Sequence, residues 1–218
     1  MHHFFHPSTT SLKVCGVTLE SDAHQLVAEG ITALGVNFWP KSKRYLPPVD
    51  AAKFLPALKE KILRVGVFVN APTQEVLSLL KEDIIDVAQF HGDETPEYCA
   101  PFAENGHPFI RAIGVKNADS LTNIHDYQAS AILLDAHAPG VYGGTGDTFD
   151  WNLARTFISK NPTLPVLLAG GITAENAAEA TTLVHPAALD LASGSESTPG
   201  IKDFDKIRAI QAAISTAQ

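Results

Sequence analysis

Eight short apolar segments, each followed by a stretch with helical character, constrain the fold of this chain more than any other feature. The segments are nearly continuous hydrophobic runs, which is typical of parallel strands covered on both faces. Each segment and its helix form one strand–helix unit, and the units leave no room for a linker. The predicted strands lie at 12–15, 33–38, 63–69, 86–90, 109–113, 131–135, 165–169 and 188–191.

Eight such units in 218 residues predict an α/β protein with one (β/α)8 barrel domain over residues 12–218. A doubly wound open sheet is disfavoured, because no Gly-x-Gly-x-x-Gly motif follows the first strand. Predicted helices include one over 50–61 and one over 118–127. Residues 1–11 form an N-terminal tail, which we expect to be frayed although its histidines could hold a metal.

Composition excludes several classes of function. The formal charge of −8 and the isoelectric point near 5.5 disfavour a nucleic-acid partner or an anionic membrane surface. No apolar run approaches the ~20 residues of a membrane helix, and the N-terminus does not resemble a signal peptide. The chain contains only Cys15 and Cys99, so we expect no disulfide framework and a cytoplasmic location.

The stretch from Ile132 to Trp151 carries the clearest chemical signal. Its apolar run ends on the carboxylate of Asp135, and the loop that follows contains Gly140, Gly143, Gly144 and Gly146. A strand that delivers an acid beside a glycine-rich loop is typical of α/β enzymes that handle phosphates. A simple surface Ω-loop is the alternative. We hypothesise that residues 136–146 close over a substrate.

In a (β/α)8 barrel the reacting groups lie at the C-terminal ends of the strands. Cys15, His91 and Asp135 occupy such positions on strands one, four and six, and strand eight carries Asp190. A small buried hydrophobe is the alternative role for Cys15, and a structural role is the alternative for His91. Asp190 is expected to orient groups at the barrel mouth, or else to be a buried partner for a neighbouring lysine or a backbone N–H.

The ends of strands seven and eight predict a phosphate site. Small residues stand at both ends, namely Gly170 and Gly171 at one and Ser193 and Gly194 at the other. Barrels of this type usually bind a phosphate there through backbone N–H groups.

Ordered motifs along nearly the whole chain resemble those of the phosphoribosylanthranilate isomerase family. They extend from the first strand to the last helix in the family's order. The matching motifs are Lys13-Val-Cys-Gly-Val-Thr18, Trp39-Pro-Lys-Ser-Lys-Arg-Tyr45, Val65-Gly-Val-Phe-Val-Asn70, Gln89-Phe-His-Gly-Asp-Glu94, Leu134-Asp135, Gly143-Gly-Thr-Gly146, Phe149-Asp-Trp151, Ala169-Gly-Gly171 and Pro199-Gly-Ile-Lys-Asp203.

The resemblance implies an Amadori rearrangement of N-(5′-phosphoribosyl)anthranilate in tryptophan biosynthesis, with no cofactor and no metal. It implies Asp135 as the acid that protonates the furanose oxygen and Cys15 as the base at sugar C2. It also implies that Arg44 binds the anthranilate carboxylate, although the loop position of Arg44 alone favours a solvated cation. Cys99 is expected to lie in the core.

Two departures from the family pattern concern phosphate binding. Asp147 stands where the family usually has a lysine, and an acidic residue there repels a phosphate unless it points to solvent. Ala192-Ser-Gly-Ser195 replaces the usual Ser-Ser-Gly-Val, so binding there depends on backbone N–H groups and on Ser193.

Other readings fit less well. A metal-dependent epimerase would show histidine and carboxylate ligands at several strand ends, and an indole-glycerol-phosphate-forming relative would show lysine and glutamate acids there. A catalytically idle barrel that binds phosphosugars is the alternative from another class, and the presence of both Cys15 and Asp135 disfavours it. We favour a monomer over a homodimer.

Overall fold

The computed structural model of the protein describes residues 2–5, 7–136 and 148–217. Eight parallel strands pair in chain order and the first pairs with the last, which closes the sheet and confirms the predicted (β/α)8 barrel. The strands are β1 (Ser11–Cys15), β2 (Ala33–Asn37), β3 (Leu63–Phe68), β4 (Val87–Phe90), β5 (Phe109–Val115), β6 (Ala131–Ala136), β7 (Val166–Leu168) and β8 (Ala188–Leu191).

Helices cover the outside of the barrel, and a short hairpin follows the last barrel strand. The α-helices are α1 (His2–Phe5), α2 (Glu20–Ala28), α3 (Pro48–Ala51), α4 (Thr73–Lys81), α5 (Pro96–Glu104), α6 (Trp151–Lys160), α7 (Ala177–Val184) and α8 (Phe204–Thr216). The hairpin pairs β9 (Glu196–Thr198) with β10 (Ile201–Lys202) and was not predicted from the sequence. Among the described residues, no helix has the length and apolar character needed to cross a membrane.

Two predicted helices are wrong in detail. The helix expected over 50–61 is instead α3 and a separate 3₁₀ turn at Leu55–Leu58 that contains Pro56. A proline cannot donate the backbone hydrogen bond that a continuous helix requires at this position. The helix expected over 118–127 is instead two 3₁₀ turns, separated where Asn123 adopts the left-handed conformation with φ 59°. That conformation ends a right-handed helix.

The two-residue period of the strands divides their side chains between two cores. Leu12 and Val14 of β1 belong to the core between the barrel and its helices. Leu133 of β6 and Ala188 of β8 belong to the core inside the barrel. Every second side chain along a strand faces inward, so the inward-facing rows reach the C-terminal rim at Cys15 of β1, Asp135 of β6 and Asp190 of β8.

The N-terminal segment closes the opposite end of the barrel. Phe4 and Phe5 are only 4% and 6% exposed and pack with the residues of the inner core. The expected frayed tail is therefore wrong for these two residues, because aromatic burial against the barrel offsets the entropy lost on ordering them.

Candidate active site

The polar ends of the inward-facing rows line one cavity of about 390 Å³ at the C-terminal rim of the barrel. This is the face where the chemistry of such barrels takes place. The sequence-predicted residues in its wall are Cys15, Arg44, His91, Asp135, Gly170, Gly171, Asp190, Ser193 and Gly194. The remaining one, Gly144, lies outside the described residues, as do Asp147 and residues 137–146 of the loop expected to close over the substrate.

Cys15 ends β1 beside a buried cation. Lys13 lies two residues earlier on the same inward-facing row and is fully buried. Burial raises the pKa of the Cys15 thiol, while the Lys13 ammonium acts in the opposite direction by stabilising the thiolate. Lys13 and Cys15 therefore face the same side of β1, a point that the sequence alone leaves open.

Gly35 of β2 provides the room for this arrangement. A Cβ atom at Gly35 would lie 2.7 Å from the Cys15 Sγ and 3.2 Å from the Lys13 Nζ. Both distances are shorter than ordinary van der Waals contact, so a side chain there would displace the thiol. Position 35 of β2 must therefore lack a side chain if the Cys15 thiol and the Lys13 ammonium are to keep these positions.

Asp135 is the carboxylate on the opposite side of the barrel mouth. Its Oδ1 accepts a hydrogen bond of 2.8 Å from the N–H of Ala136, and its Oδ2 lies 3.4 Å from the His91 Nε2. The other ring nitrogen of His91 lies 3.2 Å from the Gln89 Nε2. Since Gln89 is fully buried, it fixes the imidazole ring against the carboxylate.

Asp190 of β8 is paired with Lys13. The Lys13 Nζ donates a hydrogen bond of 2.7 Å to the Asp190 Oδ1, and the two residues are register partners across β1 and β8. The alternative considered for Asp190, a buried partner for a lysine, is present together with its place in the cavity wall.

Arg44 reaches the site from the loop after β2. Its aliphatic stem passes over Gly16, where a Cβ atom would lie 2.3 Å from the Arg44 Cδ and where φ is +76°. Arg44 is thus not a solvated cation, since its side chain is only 14% exposed and lies in the cavity wall. Glycine at position 16 leaves room for the Arg44 side chain and adopts the left-handed backbone conformation without strain.

The guanidinium of Arg44 forms a bidentate ion pair with Glu196 at the start of β9. The Arg44 Nη2 and Nε donate to the Glu196 carboxylate at 2.7 Å and 2.9 Å. Lys202 of β10 donates 2.8 Å to the same carboxylate and 2.6 Å to the backbone carbonyl of Cys15. Burial alone would raise the pKa of Glu196, but Arg44 and Lys202 hold it below its ordinary value.

The sequence reasoning missed Gln89, Glu196 and Lys202 as members of the site. Gln89 and Lys202 belong to motifs that carried the family resemblance, but neither has a residue type that signals acid–base chemistry by itself. Glu196 and Arg44 are 152 positions apart in the sequence, and sequence spacing alone gives no sign that they meet.

The ends of β7 and β8 supply the small residues that were expected to bind phosphate. Gly170 and Gly171 have φ values of +86° and +60°, which few other residues adopt. A Cβ atom at Gly194 would lie 2.0 Å from the backbone oxygen of Ile172, so the two loops are in close backbone contact. The Asn176 side chain ties this region to the start of α7 by donating 2.9 Å to the Gly171 carbonyl.

No group of three or more histidine, cysteine, aspartate or glutamate residues within 2–5, 7–136 and 148–217 has the geometry to hold a metal ion.

Comparisons with known proteins agree on one family. The model of the family described as N-(5′-phosphoribosyl)anthranilate (PRA) isomerase matches residues 12–213. The N-(5′-phosphoribosyl)anthranilate isomerase of Syntrophus aciditrophicus is 42% identical over 205 residues, which are 94% of this chain and 87% of that protein.

Solved structures give the same result. A monomer generated from the dimeric phosphoribosylanthranilate isomerase of Thermotoga maritima has a TM-score of 0.82 and 33% identity, over 95% of this chain and all of that one. A phosphoribosylanthranilate isomerase in complex with reduced 1-(o-carboxyphenylamino)-1-deoxyribulose 5-phosphate has a TM-score of 0.80 and 34% identity, over 96% of this chain and 98% of that one.

Proposed function

The chain belongs to the N-(5′-phosphoribosyl)anthranilate isomerase family, and we propose that its isomerase reaction uses Cys15 as the general base and Asp135 as the general acid. As a member of this family it is an isomerase of tryptophan biosynthesis. It converts N-(5′-phosphoribosyl)anthranilate to 1-(2-carboxyphenylamino)-1-deoxyribulose 5-phosphate. The observation that carries the proposed roles is that Cys15 and Asp135 end inward-facing rows of β1 and β6 and line the same cavity.

The reaction requires two proton transfers at neighbouring positions of one sugar. Asp135 donates a proton to the furanose ring oxygen, which breaks the bond between that oxygen and C1 and leaves an iminium. Cys15 takes the proton from C2, and the electron pair of that C–H bond neutralises the iminium to give an enolamine. Tautomerisation of the enolamine to the ketone completes an isomerisation in which nothing is oxidised or reduced overall.

Each group has neighbours that bear on its proposed role. Burial is the larger influence on Cys15 and raises its pKa, while the Lys13 ammonium opposes that effect by stabilising the thiolate, which is the form that accepts a proton. Asp135 is 6% exposed, and its orientation is held by His91 and by the Ala136 N–H. Asp190 anchors Lys13 from the other side, and so acts on Cys15 through that cation.

The cavity wall offers a group for each anionic end of the substrate. Arg44 is the guanidinium that binds the anthranilate carboxylate, since a planar fork suits a planar anion. Backbone N–H groups of residues 170–171 and 193–194 bind the phosphate, and Ser193 adds a hydroxyl. No cofactor takes part, and dialysis against a chelator should leave the rate unchanged.

The alternative is a barrel that binds the phosphosugar without turning it over. One assay distinguishes the isomerase from the idle barrel. The substrate is generated enzymatically from anthranilate and phosphoribosyl pyrophosphate, and the decay of its fluorescence is followed after addition of the protein. Decay at rates above the spontaneous reaction supports the isomerase. Binding of the reduced product analogue without faster decay supports the idle barrel.

We further propose that the protein acts as a cytoplasmic monomer with no nucleic-acid partner. The charge of −8 supports the absence of a nucleic-acid partner. Light scattering after size-exclusion chromatography tests the oligomeric state, because a mass near 23.3 kDa supports a monomer and twice that mass contradicts it.

A further inference from the structure

We infer that Glu196 is a positioning residue that sets the preference of this site for a ligand with an aromatic carboxylate, by fixing the guanidinium of Arg44. The inference rests on the proposed role of Arg44 in binding the substrate carboxylate. Glu196 itself lies outside the cavity wall given above and is only 5% exposed.

Glu196 engages one defined edge of Arg44. Its carboxylate accepts from both the Nε and the Nη2 of Arg44, at distances between 2.7 and 3.0 Å. The remaining terminal nitrogen, Nη1, has no hydrogen-bond acceptor among the described residues. A guanidinium held by its Nε–Nη2 edge therefore keeps Nη1 and the second N–H of Nη2 for a bound carboxylate, in a fixed orientation.

Glu196 can serve this purpose because its own position is rigidly set. Besides Arg44, the carboxylate accepts from the Lys202 Nζ at 2.8 Å and from the Gly200 N–H at 3.1 Å. A buried carboxylate with two cations and a backbone donor is fully paired, and so stays charged in the interior.

The hairpin that carries Glu196 is in turn fixed to the start of the chain. The Thr18 hydroxyl donates 2.7 Å to the Gly200 carbonyl, and the Lys202 N–H donates 3.0 Å to the carboxylate of Asp22. Lys202 also holds the backbone carbonyl of Cys15. Through Glu196 and Lys202, the orientation of Arg44 is thus fixed relative to the end of β1, which carries the proposed base Cys15.

Charge balance supports a positioning role over direct ligand binding. Arg44 and Lys202 carry two positive charges and Glu196 one negative charge, so the cluster keeps a net charge of +1 toward an anionic ligand. Without Glu196, Arg44 would be free to leave the rim, since Arg44 has no other side-chain ion pair among the described residues.

The test compares two ligands that differ only at the carboxylate. One is the reduced product analogue, reduced 1-(o-carboxyphenylamino)-1-deoxyribulose 5-phosphate, and the other is the same molecule with a phenyl group in place of the carboxyphenyl group. Dissociation constants of both are measured by calorimetry for the full chain and for Glu196→Gln. We expect Glu196→Gln to weaken binding of the carboxylate ligand about tenfold and to leave the phenyl ligand within about twofold.

Glu196→Asp provides a variant that retains the charge beside Lys202 if Glu196→Gln does not fold. Its carboxylate is one methylene shorter, so it cannot engage both the Nε and the Nη2 of Arg44 without a shift of the hairpin. We expect the same selective loss, smaller in size. Glu20→Gln removes the same charge from an exposed position of α2 and should change neither dissociation constant.

Arg44→Ala separates failure of this inference from failure of the proposed function. If Arg44→Ala weakens both ligands equally, Arg44 does not bind the carboxylate and the proposed role of Arg44 is wrong. If Arg44→Ala is selective but Glu196→Gln and Glu196→Asp are not, the positioning role of Glu196 is overturned. With Arg44 already replaced, Glu196→Gln should cause no further selective loss.

Discussion

The Nζ of Lys13 lies 2.7 Å from the Oδ1 of Asp190, across the seam where the first and last barrel strands meet. Both side chains are almost completely buried. Burial alone would lower the pKa of Lys13, but the Asp190 carboxylate and the neighbouring thiol raise it, so the ammonium form is retained. The ion pair that spans this seam therefore also acts on the charge state of Cys15.

The pH dependence of Cys15 alkylation by iodoacetamide should show how the Lys13–Asp190 ion pair affects the pKa of the thiol. Since burial raises the Cys15 pKa, the midpoint of the alkylation rate should lie above the ~8.5 of a free cysteine. Lys13→Met removes the strongest influence that lowers this pKa, so the midpoint should move further up.

Lys13→Met leaves Asp190 buried without its cation, so the matched variant is Lys13→Met combined with Asp190→Asn. Lys13 lowers the Cys15 pKa more than Asp190 raises it, and the double variant should therefore keep an upward shift. An unchanged or lower midpoint in the folded double variant would show that Lys13 does not stabilise the thiolate. Cys15→Ala gives the background rate from Cys99.

Gly35→Ala should impair the proposed base while the fold is retained. The added Cβ would lie 2.7 Å from the Cys15 Sγ, so the thiol must move away from the cavity or from Lys13. We expect kcat to fall at least about tenfold, because a displacement of about 1 Å can cost about 100-fold in rate. The measurement is the initial rate at saturating substrate.

Gly66→Ala is the matched control for Gly35→Ala. It adds a Cβ to the next barrel strand, where the close atoms are the side chains of Ile85, Phe38 and Phe68 and not the thiol. It should lower the melting temperature through overpacking and leave kcat nearly unchanged below that temperature. Equal losses of kcat in the two variants would mean that Gly35 acts only through stability.

Phe5→Ala should destabilise the protein, because the side chain closes the N-terminal end of the barrel. Loss of a buried phenyl ring costs about 3 kcal/mol in the free energy of unfolding. Val49→Ala shortens a side chain that is 69% exposed, and should change this free energy by less than about 0.5 kcal/mol. Similar values for both variants in urea denaturation would contradict the packing of Phe5 described above.

The barrel strands could be predicted because parallel strands covered on both faces need nearly continuous apolar runs, and Ala131 to Leu134 and Val166 to Ala169 supply them. The placement of Cys15 and Asp135 at strand ends followed from the same reasoning. Helical character was less predictable where a local backbone preference overrides amphipathic spacing, as Pro56 and the left-handed Asn123 show.

Contacts between distant segments could not be predicted from spacing. Glu196 meets Arg44 only because the β9–β10 hairpin folds back over the start of α2, and no local pattern encodes that approach. Phe4 and Phe5 were likewise assigned to a frayed tail, since their burial depends on a barrel end that exists only after all eight strands have closed.

The most direct test of the acid–base assignment is the fluorescence decay of enzymatically generated N-(5′-phosphoribosyl)anthranilate, with the wild-type protein beside Cys15→Ala and Asp135→Asn. We expect each substitution to lower kcat by about 100-fold to 10,000-fold, because each removes one proton-transfer group. Both variants should still bind the reduced product analogue. Retention of near wild-type kcat by either variant would contradict the assignment of that residue.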